Sequence, residues 1–284
     1  MSNKDNKTTL DKFKDIITHI VLIILVFLIN LPLISMVGTA VKDKVSALTS
    51  TSLFPGLGEW RFNSFVTVIN STTFLRNIGN SAIIAITVTL LCILIASMAG
   101  YAISRFKGRV FSFYSMFLLL LQMFPGMLLL MPLYVIYNKL GLVNTLGSVI
   151  LSYTTMNLAF SIWMMKGFFD SIPRELEQAG IVDGCTRFQA FYKIVMPISL
   201  PGLATVGIFT FINCWNEYTL ASIFLRKDEI LTMTVGLQKF VQQYSSDWPL
   251  LMAASTIATI PTIIFLVFTQ KFLIEGMTAG AVKG

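Results

Sequence analysis

Long apolar stretches without charged residues recur along the chain, separated by polar segments. Six of them reach the roughly 20 residues that an α-helix needs to cross a bilayer. They cover residues 16–41, 77–104, 110–138, 140–165, 194–216 and 248–270. The pattern predicts an all-α membrane protein with six transmembrane helices. We expect one six-helix membrane domain at 16–275, a polar N-terminal segment at 1–15 and a small-residue tail at 276–284.

The polar stretch between the fourth and fifth apolar runs, residues 171–201, is charged and carries two helix-start signals. We call it the 171–201 loop. Ser171 is predicted to N-cap a helix whose first turn contains Pro173, where a missing N–H costs little. Two glutamates, Glu175 and Glu177, then fall near the positive end of the helix dipole. A first short helix is therefore expected in this loop.

A second short helix follows after a predicted break at Asp183-Gly184. Thr186 and Gln189 have the spacing of a capping box. The spacing i, i+3, i+4, i+7 predicts one aromatic and apolar face made by Phe188, Phe191, Tyr192 and Val195. Two helices joined at a glycine corner suit docking on a partner, but an ordinary amphipathic loop between membrane helices fits the same pattern.

Composition supports a membrane protein and assigns its orientation. Of 284 residues, 55% are hydrophobic and only 12% are charged, well below soluble domains. Thirteen of the 21 Lys and Arg residues fall on one side of the predicted topology. The positive-inside rule then predicts that both termini and the 171–201 loop are cytoplasmic. The net charge of +7 is explained by this topology and by contact with the lipid bilayer, and no nucleic-acid partner is expected.

Polar residues inside the apolar runs are candidates for a pathway or gate. In the third run, Gln122 lies beside Pro125-Gly126, where a proline frees a backbone carbonyl and bends the helix. Glu217 is an acid set in an apolar run, which is costly unless it is paired or faces water. It either touches substrate or gate, or holds helices together. The candidate pathway residues are Gln122, Asn213, Trp215, Asn216 and Glu217.

The motifs of catalysis are missing from this chain. It has no G-x-x-x-x-G-K-[ST], H-E-x-x-H or G-x-S-x-G sequence and only one histidine. Its three cysteines have no C-x-x-C spacing, so neither disulfides nor a zinc site are expected. We therefore predict a transport subunit that is not an enzyme, holds no metal or cofactor, and is driven by another protein.

The 171–201 loop resembles the signature loop of permease subunits in bacterial ATP-binding-cassette (ABC) importers: Glu-Ala-Ala, three residues, Gly, nine residues, Ile-x-Leu-Pro. In this chain the pattern falls on Gln178-Ala179-Gly180, Gly184 and Ile194-Val195-Met196-Pro197. Gln replaces the family Glu, Gly the second Ala and Met the Leu. Further likeness to the smaller permease of maltose-type carbohydrate importers runs from Arg76-Asn77 to the last residue.

This resemblance implies a type I importer permease in the plasma membrane of a bacterium, with a cytoplasmic two-helix coupling loop. By resemblance, the residues that couple to an ATPase are Glu177, Gln178, Ala179, Gly180, Asp183, Gly184, Phe188, Phe191, Tyr192, Ile194 and Pro197. The tail is expected to contact the ATPase dimer through Thr278, Gly280 and Lys283. The implied partners are a second, different permease, the ATPase dimer, which binds ATP and Mg, and an extracellular sugar-binding protein. The implied cargo is an oligosaccharide such as a maltodextrin.

Two other functional classes fit parts of the sequence. A secondary transporter also has polar spans and broken helices, although no repeat halves or ion-coupling cluster are recognisable here. An intramembrane enzyme acting on lipid-linked sugars, with Glu217 as its acid, lacks a paired carboxylate. The aromatic external segment at 42–76 is the expected outer docking surface in the importer interpretation.

Overall fold

The computed structural model describes residues 9–243 and 247–281, and within them the regular structure is helical, with no strand. Side chains are not described for 9–13, 72, 240, 242–243 and 271–281. The α-helices, in chain order, are α1 (Thr9–Ala40), α2 (Lys44–Thr49), α3 (Asn63–Asn70), α4 (Thr72–Arg105), α5 (Arg109–Met123), α6 (Leu130–Lys139), α7 (Leu146–Ser171), α8 (Arg174–Val182), α9 (Arg187–Ala190), α10 (Met196–Ile198), α11 (Leu200–Asn216), α12 (Thr219–Phe224), α13 (Met233–Gln243) and α14 (Trp248–Ala281).

Among the described residues, four helices contain an unbroken apolar span long enough to cross a membrane, and two bent pairs bring the number to six if each pair is one span. The unbroken spans are Lys14–Ala40, Thr73–Arg105, Leu146–Ser171 and Trp248–Gln270. They match the first, second, fourth and sixth apolar runs, although the fourth lies six residues further along the chain than the run 140–165 predicted. The predicted all-α membrane fold is confirmed.

The third predicted span, 110–138, is not one straight helix. Its two parts, Arg109–Met123 and Gly126–Lys139, meet at an angle of 91°. Pro125 cannot donate a backbone hydrogen bond, and it disfavours helical geometry at the preceding residue, so Phe124 is extended. The expected kink is therefore a complete break. Gln122 lies in the last turn before it, exposed, with its amide directed to the carbonyl of Leu118 at 3.5 Å.

The fifth predicted span, 194–216, is also divided. The chain bends by 72° between the stretches Arg187–Ile198 and Leu200–Asn216. The break lies at Ser199, whose backbone is no longer regular helix, and Pro201 follows in the first turn of α11. The helix that crosses therefore begins at Leu200, and residues 194–198 belong to the 171–201 loop.

The chain divides into two compact units. The first contains Met1–Asn70 and Phe240–Ile257. In it the ammonium of Lys42, which is only 4% exposed, donates to the carbonyl of Ser52 at 2.5 Å. Asp43 caps α2 by accepting from two backbone N–H groups at 2.9 Å, and these bonds, that from Ser46 foremost, lower the pKa of Asp43. A cavity of about 460 Å³ is lined by Lys42, Asp43, Lys44, Arg61, Asn63, Ser64, Thr67, Asp247, Pro249 and Leu250.

The second unit contains Ser71–Lys239 and Ala258–Gly284. Helices α4, α7 and α11 pack along one another at its centre. Close approach depends on small residues: a Cβ at Gly100 of α4 would lie 3.0 Å from Met165 of α7, and one at Gly207 of α11 would lie 3.2 Å from Ile93 of α4. Where α4 and α7 end, they form a buried cluster that also takes in Phe191 and Val195 of the 171–201 loop. The core therefore holds this loop directly.

Candidate functional site

The 171–201 loop has the predicted two-helix form. Helix α8 ends at a left-handed glycine, Gly184, with φ +91°. The N–H of Gly184 bonds the carbonyl of Ile181 at 3.1 Å and the N–H of Cys185 bonds that of Gly180 at 2.9 Å, which is a Schellman motif. Helix α9 then starts with the predicted capping box of Thr186 and Gln189. The corner is set by local hydrogen bonds.

The predicted cap at the start of the loop is wrong. Ser171 does not N-cap α8 because α7 continues through it, and its hydroxyl instead donates to the carbonyl of Phe168 at 2.7 Å. The N-cap position of α8 is held by Pro173, which makes no side-chain hydrogen bond. Both predicted acids, Glu175 and Glu177, do lie in the first turn of α8.

The predicted single aromatic face is also wrong. Phe191 and Val195 are 9% and 0% exposed and point into the core, whereas Phe188 and Tyr192 are 70% and 68% exposed. Each pair is four residues apart, and residues 191–195 form a π-helical segment that continues from α9. One pair therefore anchors the loop and the other stands on its outer surface.

The outer surface of the loop carries large exposed apolar side chains among exposed polar ones. We call these apolar side chains the outer face, and they are Leu176, Ile181, Val182, Phe188 and Tyr192. Among the motif residues, Gln178, Ala179, Asp183, Gly184 and Pro197 are exposed, and Ile194 is half-buried. Gly180 is buried, and a Cβ there would lie 2.3 Å from the terminal methyl of Ile194. The glycine that departs from the family alanine thus makes room for Ile194.

Beneath the loop lies a buried ionic group. Glu177 forms an ion pair with Arg105 at the end of α4, and the two side chains are 9% and 8% exposed. The hydroxyl of Tyr101 donates to the same carboxylate at 2.7 Å. Arg105 also donates to the carbonyls of Phe169 and Ile172, at 2.8 and 3.1 Å. A cation is favoured at these last carbonyls of α7. We call Tyr101, Arg105 and Glu177 the brace.

Sequence reasoning missed the brace. The sequence places Glu177 near a helix start and, by resemblance, among the residues that couple to an ATPase, but it predicts no partner for this acid within the chain. The partners are more than seventy residues apart. A usable signal was present, because an arginine at the end of an apolar run and an acid on the inner side of an amphipathic helix both need partners once buried.

A second set of polar contacts joins α7 to α11 through the membrane span. Three pairs follow the antiparallel helices at roughly one-turn intervals. The hydroxyl of Tyr153 meets the carboxylate of Glu217 at 2.5 Å, the amide of Asn213 donates to that of Asn157 at 3.1 Å, and Ser161 and Thr210 are 3.4 Å apart. We call these three pairs the seam.

The predicted pathway residues have different surroundings. The carboxylate of Glu217 also accepts from the backbone N–H of Leu220 at 2.8 Å, so it links α11 to α12 as well as to α7. These contacts favour the structural alternative for this acid. Trp215 is 2% exposed and stacks on Phe211 at 5.7 Å. Asn213 and Asn216 are exposed on α11.

The predicted tail contacts can be located only in part. Thr278 and Gly280 lie within the last turns of α14, where the structure describes the backbone alone. Lys283 lies outside the described residues.

Broken membrane helices, polar residues in the spans and a structured polar loop are features found in membrane transport proteins. The solved structure of a bacterial ABC transporter involved in the import of the acidic polysaccharide alginate has the same fold, with a TM-score of 0.79 at 21% identity, covering 95% of this chain and 100% of that one. The fold is that of a type I ABC importer permease.

Sequence comparison identifies the family. Residues 92–278 match the family described as binding-protein-dependent transport system inner membrane component. The chain is 32% identical to the maltodextrin transport system permease protein of Bacillus subtilis, over 98% of this chain and 100% of that one. It is 34% identical to the diacetylchitobiose uptake system permease protein of Streptomyces coelicolor (94% and 96%) and 37% identical to the sulfoquinovosyl glycerol transport system permease protein of Agrobacterium fabrum (72% and 72%). This chain belongs to that family, and it is a permease subunit rather than an enzyme.

Proposed function

We propose that this chain is one of two permease subunits of an ATP-driven importer of oligosaccharides, with maltodextrins as the cargo to test first. The relatives named for maltodextrin, for trehalose and maltose, for diacetylchitobiose and for arabinooligosaccharides support a sugar cargo. In this proposal ATP and Mg bind to a separate ATPase dimer, and this chain binds no cofactor.

The observation that carries the proposal is the outer face of the 171–201 loop. Its two aromatic side chains, Phe188 and Tyr192, stand 70% and 68% exposed on a loop whose inner side is fixed in the core. Large apolar side chains exposed on a polar loop indicate a protein contact. The charge bias, thirteen of 21 basic residues on that side, supports a cytoplasmic loop and cytoplasmic termini. The outer face therefore docks on the ATPase.

The membrane span supports a role for this chain in the pathway. Asn213 and Asn216 expose amides on a helix that crosses the bilayer, and an amide facing lipid is costly. These side chains face the second permease or the cargo, where amides can bond sugar hydroxyls. The seam, to which Asn213 itself belongs, holds α11 against α7.

In the topology predicted from the sequence, residues 42–76 are external, where an extracellular sugar-binding protein delivers the cargo. The cavity in the first unit brings Lys42, Lys44 and Arg61 together with Asp43 and Asp247. Such a charged and concave surface suits a polar, reversible protein contact. It is our candidate for the docking of that binding protein.

A native thiol gives a direct test. Cys185 lies half-buried at the glycine corner, while Cys92 and Cys214 are buried. A membrane-impermeant maleimide should label the chain in inside-out vesicles, and should not label it in right-side-out vesicles or in the Cys185→Ser control. ATPase bound in the assembled complex should protect the thiol. Labelling from the outside, or equal labelling with and without the ATPase, would contradict the proposal.

Transport itself needs a separate measurement. Proteoliposomes that hold the complex purified through this chain, with its binding protein, should take up labelled maltotetraose only when ATP is inside. Uptake driven by an ion gradient, with no ATPase in the complex, would instead support a secondary transporter.

A further inference from the structure

The 171–201 loop is joined to the membrane helices in two different ways. The chain itself connects it to α7 at one end and, through α10, to α11 at the other. Helix α4 lies beside the loop but is far from it in sequence, since Arg105 precedes Glu177 by 72 residues. A displacement of the loop therefore reaches α4 only through side-chain contacts.

The brace supplies the ion pair and most of the hydrogen bonds between α4 and the loop. Arg105 joins three elements at once, because its guanidinium reaches Glu177 of α8 and the last carbonyls of α7. The ring of Tyr101 lies 4.6 Å from that of Phe191 and 5.8 Å from that of Phe169, between centroids. Arg174 of α8 adds a bond to the carbonyl of Ser104 at 2.9 Å.

The two charges of the brace, on Arg105 and Glu177, are stable only while their side chains stay paired in this geometry. Both side chains are about nine-tenths buried, so each charge has lost its water and depends on the other. The guanidinium presents its donors in a fixed planar fork, and here the fork is shared between one carboxylate and two carbonyls. Such an arrangement resists sliding of α8 past the end of α4.

We propose that Arg105, Glu177 and Tyr101 are positioning residues for energy coupling. They transmit movement of the docked loop to α4. The inference rests on the proposed function, since it assumes an ATPase on the outer face. It assigns different roles to the two sides of the loop. Phe188 and Tyr192 bind the ATPase, and the brace, on the opposite side of the same loop, transmits the movement to α4.

The test compares coupling with assembly. Glu177→Gln keeps the shape of the side chain and removes its charge, and Glu175→Gln is the matched control, an exposed acid in the same turn of α8. Both variants are assembled with the ATPase and the binding protein in proteoliposomes. Three quantities are measured: ATPase recovered per permease, ATP hydrolysis, and maltotetraose taken up per ATP hydrolysed.

We expect Glu177→Gln to retain the ATPase and to hydrolyse ATP, while uptake per ATP falls roughly tenfold, within the range of ordinary coupling free energies. The control should stay within about twofold of the parent, as surface substitutions do. Tyr101→Phe removes one hydroxyl and keeps the ring, so it should fold and show a smaller fall in the same ratio. This milder variant decides the matter if Glu177→Gln does not fold.

Two results would overturn the inference. One is an unchanged uptake per ATP in both Glu177→Gln and Tyr101→Phe. The other is loss of the ATPase from either variant in proportion to its uptake, because the brace would then shape the docking surface and transmit nothing. Failure of the proposed function is distinguishable from both, since the parental complex would itself lack ATP-driven uptake.

Discussion

Replacing Tyr192 by alanine should weaken ATPase binding without unfolding the permease. The side chain is 68% exposed, so about 140 Å² of a tyrosine surface of roughly 200 Å² is available to a partner. At about 25 cal/mol per Å² the full area corresponds to ~3.5 kcal/mol, and partial coverage leaves ~2 kcal/mol. Since 1.4 kcal/mol is a factor of about ten, we expect the Kd to rise roughly 30-fold.

The assay is a titration of purified ATPase on the permease held in nanodiscs. Tyr192→Phe is the matched control, because it keeps the ring and removes the hydroxyl, for which the structure gives no hydrogen bond. It should bind with the parental Kd. An unchanged Kd for Tyr192→Ala, or an equal loss for both variants, would refute docking by apolar area on the outer face.

Phe191 distinguishes the two sides of the loop. It is 9% exposed and its ring lies 4.6 Å from that of Tyr101. Phe191→Ala should therefore cost stability, about 3–5 kcal/mol, as for other buried aromatic residues. A lower melting temperature with Phe191→Ala and an unchanged one with Tyr192→Ala would separate anchoring from docking. Equal melting temperatures for the two variants would contradict the division described here.

Substitutions at three further sites, Gly202, Gly180 and Asp43, test local features of the fold. Gly202→Ala should lower the melting temperature because its Cβ would lie 2.5 Å from an aromatic ring of α7, whereas Gly167→Ala, with nothing within 4 Å, should be neutral or slightly stabilising. Gly180→Ala should lower the melting temperature only slightly, because its Cβ meets only the terminal methyl of Ile194. Adding Ile194→Val, which removes that methyl, should restore the melting temperature. Asp43→Ala should speed hydrogen exchange at the capped amides of α2. In the parent, the pKa of Asp43 is lowered, so the cap persists at neutral pH. It is lost only below about pH 4, as the pH falls through that pKa.

The parts of the loop that were predicted correctly depend on neighbouring residues. Gly184 ends α8 because the Schellman bonds join residues three and five apart, and the Thr186 and Gln189 box spans three residues. Such signals can be recognised from the sequence since both partners are in view. The predicted cap at Ser171 is wrong because it depended on more than neighbouring residues. Its type permits a cap, but the length of α7 decided whether the position was free.

What could not be predicted depends on the position of the core. The spacing of Phe188, Phe191, Tyr192 and Val195 permitted one face, and only the packing of α4 against the loop decides that two of them point inward. The seam and the brace join residues that are 49 to 76 positions apart. Polar side chains in apolar helices indicated that partners exist. Which partners they are is fixed by the way that the helices pack.

The replacement of the family glutamate by Gln178 now has a physical interpretation. Position 178 is exposed, while the acid one residue earlier, Glu177, is buried in the brace. Consecutive residues on a helix point about 100° apart, so one can face the core while the next faces a partner. A neutral side chain at 178 therefore leaves the internal ion pair with Arg105 intact. It removes a charge only from the exposed surface of the loop that we assign to ATPase docking. An exposed ion pair contributes little affinity there, and exposed apolar residues can supply the affinity instead.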